Sequence, residues 1–232
     1  MKLEPIEVAE RLYVRVARRI AGLVSSGQVQ PGEKLPSERD LANMLQVSRP
    51  TIREAMIALE VSGLIEVRTG SGIYVRQGQQ GALALLKDEG VGPFDIFELR
   101  LMIEPEAAAL AAERMRDEQI AALLAIVEEM PALAQTKALE AVDQQFHIQI
   151  ARGTENATIV EAVEWLWRLR DQSALSRSFH RTIIDEGVYP VIEEHRAVVD
   201  AIAARQPEAA RRAMREHLAA ATQAAATHFG AP

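Results

Sequence analysis

Not one of the 232 residues is cysteine, so neither disulfides nor thiolate metal sites hold this chain together. Nothing at its start resembles a signal peptide, and no apolar run approaches the roughly 18 residues needed to cross a bilayer. No internal repeat is evident either. The chain is also without an excess of positive charge: its formal net charge is −7, which at first sight excludes a nucleic-acid partner. What is present is length and apolar content (48%), enough for one large domain or two ordinary ones with proper cores. A soluble chain of the cytoplasm, with no membrane partner, is the expectation.

The charge is unevenly spread. Residues 1–76 hold 11 basic and 9 acidic side chains, whereas residues 77–232 hold 15 and 24. Phosphate contact needs locally clustered cations, so only the front segment could be a DNA surface. Between the two lies a stretch broken by glycine and proline, from Gln77-Gly78 to Gly90-Val91-Gly92-Pro93, which reads as a linker over 77–93 with an apolar patch from Ala82 to Leu86. The predicted division is 1–76, linker 77–93, and 94–232. The rear part has helical periodicity almost throughout, punctuated near Asp117, Pro131, Gly153, Gly187 and Pro207, which predicts six or seven helices and no strand. Its alanine-rich segment 202–227 is a helix, since alanine is the best helix former.

In the front part, Leu12, Val16, Ile20, Leu23 and Val24 share a face, predicting a helix from about 10 to 26 stopped by Gly27. Pro31-Gly32 is a turn. Ser37 caps a second helix, with Asp40 at the capping-box position and Leu41 and Leu45 facing inward. Ser48 caps a third, with Pro50 in its first turn. Burying Ile52, Ala55, Met56 and Leu59 turns Arg49, Thr51 and Arg53 to solvent at the end that recognition helices offer to base edges. Leu64–Arg68 and Ile73–Arg76 form a hairpin closed through Gly70-Ser71-Gly72. Together these spell a winged helix-turn-helix. Singly, each arginine reads as well as a solvated surface residue.

In the rear part, Asp143 and His147 are i, i+4 on one helix, so their side chains point the same way. His195, with Val199 and Ile202, and His217, with Met214 and Ala221, lie on or beside stripes that should face a bundle interior. Facing helices build metal sites from such carboxylates and imidazoles, and three nitrogens with one oxygen suit zinc first, then nickel, cobalt or manganese. Taken one at a time, a histidine on an apolar face is more often hydrogen-bonded or partly exposed than a ligand, and the residues alone leave that alternative open. His180 and His228 fit no constellation.

Residues 10–76 resemble the DNA-binding domain of the GntR family of bacterial regulators. The resemblance rests on Leu35-Pro36-Ser37-Glu38-Arg39, Val47-Ser48-Arg49, Ile52-Arg53-Glu54-Ala55 and Gly70-Ser71-Gly72-Ile73-Tyr74-Val75. It implies that Arg39, Arg49 and Arg53 contact bases and phosphates, Ser48 and Thr51 the backbone, and Thr69 and Gly70 the minor groove. Residues 94–228 resemble the all-helical FCD effector domain of the FadR branch. There, Asp143, His147, His195 and His217 match a metal set that orients a carboxylate effector. Gly92-Pro93-Phe94-Asp95, Phe146–Ala151 and Trp165-Leu166-Trp167-Arg168 are similar to the hexuronate repressors of the UxuR and ExuR kind. The implied effector is a sugar acid, although lactate, gluconate and amino-acid sensors share the scaffold. Arg100 is the candidate partner of its carboxylate, because the guanidinium fork matches a carboxylate in two hydrogen bonds. An i, i+4 pair with Glu104 is its alternative, and Arg170 is a second candidate.

The resulting expectation is a mostly α-helical, homodimeric repressor on an inverted-repeat operator, released by a small acid held by metal and arginine. Activation is the alternative sign. A metal-dependent hydrolase is the rival class, but no set of general-base partners is found, and an attached DNA reader makes sensing the simpler explanation.

Overall fold

The computed structural model describes residues 11–68, 70–76, 91–185 and 187–228. The expectations placed on Thr69 and on the linker over 77–90 lie outside these residues. Two compact units are present.

The first unit begins with α1 (Leu12–Ser25), whose buried face is Tyr13, Val14, Val16, Ala17, Ile20 and Ala21. Leu12 is 46% exposed, contrary to its predicted place on that face, because Tyr13 and Val14 turn the stripe away from it. Gly27 ends the segment at φ 74°, a value that favours glycine. Helix α2 (Glu38–Leu45) starts where Ser37 Oγ accepts from the Asp40 amide, and α3 (Arg49–Val61) where Ser48 Oγ accepts from the Thr51 amide. Each cap satisfies an amide that the helix itself leaves unpaired, typically about 1 kcal/mol. Between the two helices Gln46 adopts φ 56°.

Strands β1 (Ile65–Arg68) and β2 (Gly72–Val75) pair antiparallel, Ile65 opposite Val75 and Arg68 opposite Gly72. Gly72 therefore sits in the strand and not in the turn. The segment read as a turn at Pro31-Gly32 goes further than that. Its backbone continues alongside β2, with Leu35 donating to Ile73 O at 2.8 Å and Val75 donating to Glu33 O at 3.0 Å. Behind these elements Ala17, Ile52, Ala55, Leu59 and Ile65 are completely buried.

The second unit runs from Val91 to His228. Val91–Pro93, expected in the linker, belong to it. Pro93 opens α4, where its missing N–H costs nothing, and Ser176 Oγ donates to Val91 O at 2.9 Å. The helices are α4 (Pro93–Arg114), α5 (Asp117–Glu129), α6 (Ala138–Gly153), α7 (Ala157–Gln172), α8 (Ala174–Asp185), α9 (Ile192–Ala203) and α10 (Pro207–His228). A 3-10 turn, Met130–Leu133, joins α5 to α6. The break between α7 and α8 carries no glycine or proline; its signal is Ser173, whose Oγ accepts from the Ser176 amide at 3.1 Å and caps α8.

Helices α4 and α10 pack extensively on each other. Small residues let them approach: Ala107, Ala108, Ala109, Ala111 and Ala112 of α4 are all buried. Gly153 closes α6 against Met115, whose side chain leaves no room for a Cβ there. The core joins Leu123, Val127, Phe146, Ile150, Val198, Ile202 and Met214. Burying each fully contributes about 1.5–3 kcal/mol. This core fixes the inner faces of α4, α6, α9 and α10, and these carry the site. Among the described residues no helix is long and apolar enough to cross a membrane.

Candidate functional site

The first unit presents its cations unevenly. Arg39 is 76% exposed, and Arg49 is also exposed, at the first turn of α3. Ser48 and Thr51 hold each other, Oγ to Oγ1 at 2.8 Å. Arg53, expected at the surface, is half-buried, with Nη2 3.4 Å from Glu38 Oε2. The reason is the crossing of α2 and α3, which brings the buried Glu38 carboxylate under α3. Gly70 stands exposed in the wing loop at φ 70°. Two cations not singled out by sequence, Arg68 and Lys34, lie over the Tyr74 ring at 4.5 and 5.9 Å.

In the second unit, Asp143, His147, His195 and His217 bring one ligand atom each within 4.8 Å of one another. All three imidazoles are buried. Helix α6 supplies Asp143 and His147, α9 supplies His195 and α10 supplies His217. The rings are held from behind. His195 Nδ1 is 2.8 Å from Val191 O, and His217 Nδ1 is 3.0 Å from Glu194 Oε2. Glu104 Oε2 lies 2.6 Å from His147 Nδ1, though not aligned as a hydrogen bond.

The protons can be placed at His195. A carbonyl oxygen only accepts, so Nδ1 must carry a proton. Its Nε2 then faces Asp143 Oδ1 at 2.8 Å. In a neutral ring this would set one lone pair against another. Either His195 is an imidazolium, or a cation belongs where the second proton would be. The Nε2 atoms of His147 and His217 also approach each other to 3.4 Å, and His147 Nε2 lies 3.7 Å from Asp143 Oδ1. Ligands at about 2.0–2.2 Å from a tetrahedral zinc would be about 3.4 Å apart, so these side chains fit a divalent metal. The acceptors behind the rings are the outer partners such a site needs.

The electrostatics agree. Burial pushes His217 down to about 4, only partly offset by Glu194, so this ring is neutral and ligand-ready at pH 7. Burial alone would raise Asp143, but His147 and His195 outweigh it and hold the carboxyl well below its usual range. Burial likewise works against a charged His147, yet Glu104 and Asp143 raise it.

A cavity of about 270 Å³ opens on this cluster, lined by Asp143, His147 and His217 together with Arg100, Trp167 and Arg170. It lies just under the range of drug-sized sites, as suits a small acid. Arg100 does make the i, i+4 pair, Nε to Glu104 Oε1 at 2.7 Å, but inside the protein and not on its surface. Glu104 thus stands between Arg100 and His147, and the two charges hold its carboxyl, despite burial, at about 2. The Arg100 and Arg170 guanidinium carbons lie 4.6 and 4.4 Å from the Trp167 ring centre. His180, left unassigned by sequence, also lines the cavity, its Nδ1 2.8 Å from Ser176 O. Burial and Arg170 lower it to about 3. Glu104, Glu194 and His180 were missed because each meets its partner or the cavity across helices.

The sequence matches known proteins along most of its length. The FCD domain family model matches residues 95–220, and the model described as bacterial regulatory proteins, gntR family, matches residues 12–75. The chain is similar to the Exu regulon transcriptional regulator of Escherichia coli, 35% identical over 92% of this chain and 84% of that protein. It is 33% identical to the Uxu operon regulator of Haemophilus influenzae, over 91% of this chain and 80% of the relative. A relative in Escherichia coli named for an L-lactate dehydrogenase operon is 32% identical over 92% of this chain and 86% of its own. A crystal structure of a GntR family member from Pseudomonas syringae shares the fold, with a TM-score of 0.52, 21% identity, and 94% and 85% of the two chains covered.

Proposed function

Since the chain belongs to the GntR family of transcriptional regulators and carries an FCD effector domain, we propose that it is a homodimeric repressor whose effector is a hexuronate or related sugar acid. It is a regulator and not an enzyme. The observation that carries the proposal is the meeting of Asp143, His147, His195 and His217 beside a cavity that Asp143, His147, His217 and two arginines line.

In this reading the four side chains hold a divalent ion, zinc first among the candidates. With a coordination number above four, a bound ion would supply positions for an effector carboxylate oxygen and its neighbouring hydroxyl. Arg100 keeps free N–H groups beyond its Glu104 edge, and these pair with the same carboxylate. Arg170 stands at the other end of the cavity. On the DNA, Arg49 and Arg39 reach bases and phosphates, with Ser48, Thr51, Thr69 and Gly70 on the backbone and minor groove. Arg53 joins them after leaving Glu38. Two such units match the two halves of an inverted repeat. The acid releases DNA only by binding the DNA-free form more tightly than the bound form.

The test is a thermal-shift panel on metal-loaded protein, followed by operator binding with the acids that respond. Galacturonate or glucuronate is expected to raise the Tm and release the operator. A shift with lactate or another acid alone would overturn the sugar-acid reading.

A further inference from the structure

The metal-facing end of the cavity explains how an acid is held but not how one acid is told from another. The opposite end has its own set of polar side chains. Glu140 lies three residues before Asp143 on α6, so both carboxylates share a helix face about 4.5 Å apart along the axis. Beside Glu140 stand Arg170 of α7 and His180 of α8, and all three line the cavity. They also line a second cavity of about 510 Å³, which none of the four cluster residues lines, so they stand on the side of the site away from the cluster.

These three groups retain hydrogen-bonding capacity. Arg170 Nη1 is 3.7 Å from Glu140 Oε1, too far for a hydrogen bond, while its Nε is occupied by Asp171 at 3.0 Å. Glu140 therefore keeps acceptor sites and Arg170 keeps N–H donors. His180 Nδ1 faces the Ser176 carbonyl, which only accepts, so that nitrogen carries the proton and Nε2 is an acceptor. Two acceptors and a donor suit hydroxyl groups, each of which gives one hydrogen bond and accepts others. Ile184 and Leu218 provide an apolar wall for C–H groups. A 2-hydroxy acid of three carbons, anchored at the metal end, has nothing to offer this end.

We propose that Glu140, with Arg170 and His180, reads the hydroxyl groups of the effector and selects polyhydroxy acids over short 2-hydroxy acids. The inference rests on the sugar-acid reading of this cavity and adds the residues that discriminate. Glu140 contributes more than His180, because a hydroxyl donating to a carboxylate gains more than a neutral pair.

The experiment measures dissociation constants of glucuronate, galacturonate and L-lactate on metal-loaded wild type, Glu140→Gln and Glu140→Ala. Metal content and Tm are recorded for each variant. The wild type is expected to prefer the hexuronates. Both variants should lose about tenfold or more in hexuronate affinity, keep lactate affinity within about twofold, and retain full metal. An unchanged preference in the variants would overturn the inference while the sugar-acid reading stood. Equal losses for all three acids would overturn it too, since Glu140 would then only shape the cavity. A wild type that binds lactate and neither hexuronate would defeat the sugar-acid reading itself, a result the wild-type row shows before any variant is compared.

Discussion

The two units of this chain arrive at function by opposite routes. In the first, the residues proposed to meet DNA lie within 32 positions of one another, Arg39 to Gly70, and two serine caps with a glycine wing set their placement locally. In the second, the cluster draws on Asp143, His147, His195 and His217, with Glu104 behind it, from α4, α6, α9 and α10. The first is a local device that nearby hydrogen bonds position. The second exists only once a core has brought four helices together. Local devices are legible as motifs. Assembled ones are legible only as separate residue pairs whose meeting must be inferred.

The largest expected effect tests the assembled site. His195→Ala with His217→Ala should reduce stoichiometric metal to none by elemental analysis, while operator binding survives but no longer responds to the acid. Unchanged metal would break the account of the cluster. Lost operator binding would break the contrast between the units. Glu104→Gln, which removes charge behind one imidazole, should weaken metal by about 10–100-fold.

A smaller effect distinguishes two arginines within the local device. Arg49→Ala should cost about 1–3 kcal/mol in operator binding, less on random DNA, and leave the Tm unchanged. Arg53→Ala should lower the Tm as well, because it strands the buried Glu38 without its guanidinium. Equal behaviour of the two variants, in both binding and melting, would show that the Glu38 contact has no consequence.

The smallest effect is a pH dependence. His180 is held at about 3 in the folded protein, against about 6.5 when unfolded. Its contribution to stability is present above pH 6.5. It declines below that as the unfolded chain takes up a proton that the folded one refuses. The wild-type Tm should therefore fall faster between pH 7 and 5.5 than that of His180→Gln. The gap should be about 2–4 °C, the size of a 1 kcal/mol change in a chain of this length. Parallel curves would show that His180 gains its proton without cost.

What the sequence by itself determined is whatever short-range physics decides. The helix starts at Ser37 and Ser48, the stop at Gly27, the pairing of Asp143 with His147 on one face, and the family of the chain can all be read from it. Tertiary structure alone decided which way a boundary residue such as Leu12 turns, that Arg53 meets Glu38, and that Arg100 and Glu104 pair inside the protein. It alone placed Glu104 and Glu194 behind two of the imidazoles, and Glu140 with His180 at the far end of the cavity. The reason is distance along the chain. A cap or a helix face is settled by neighbours three or four residues away, whereas a carboxylate behind a ring 43 positions later is settled by how whole helices pack.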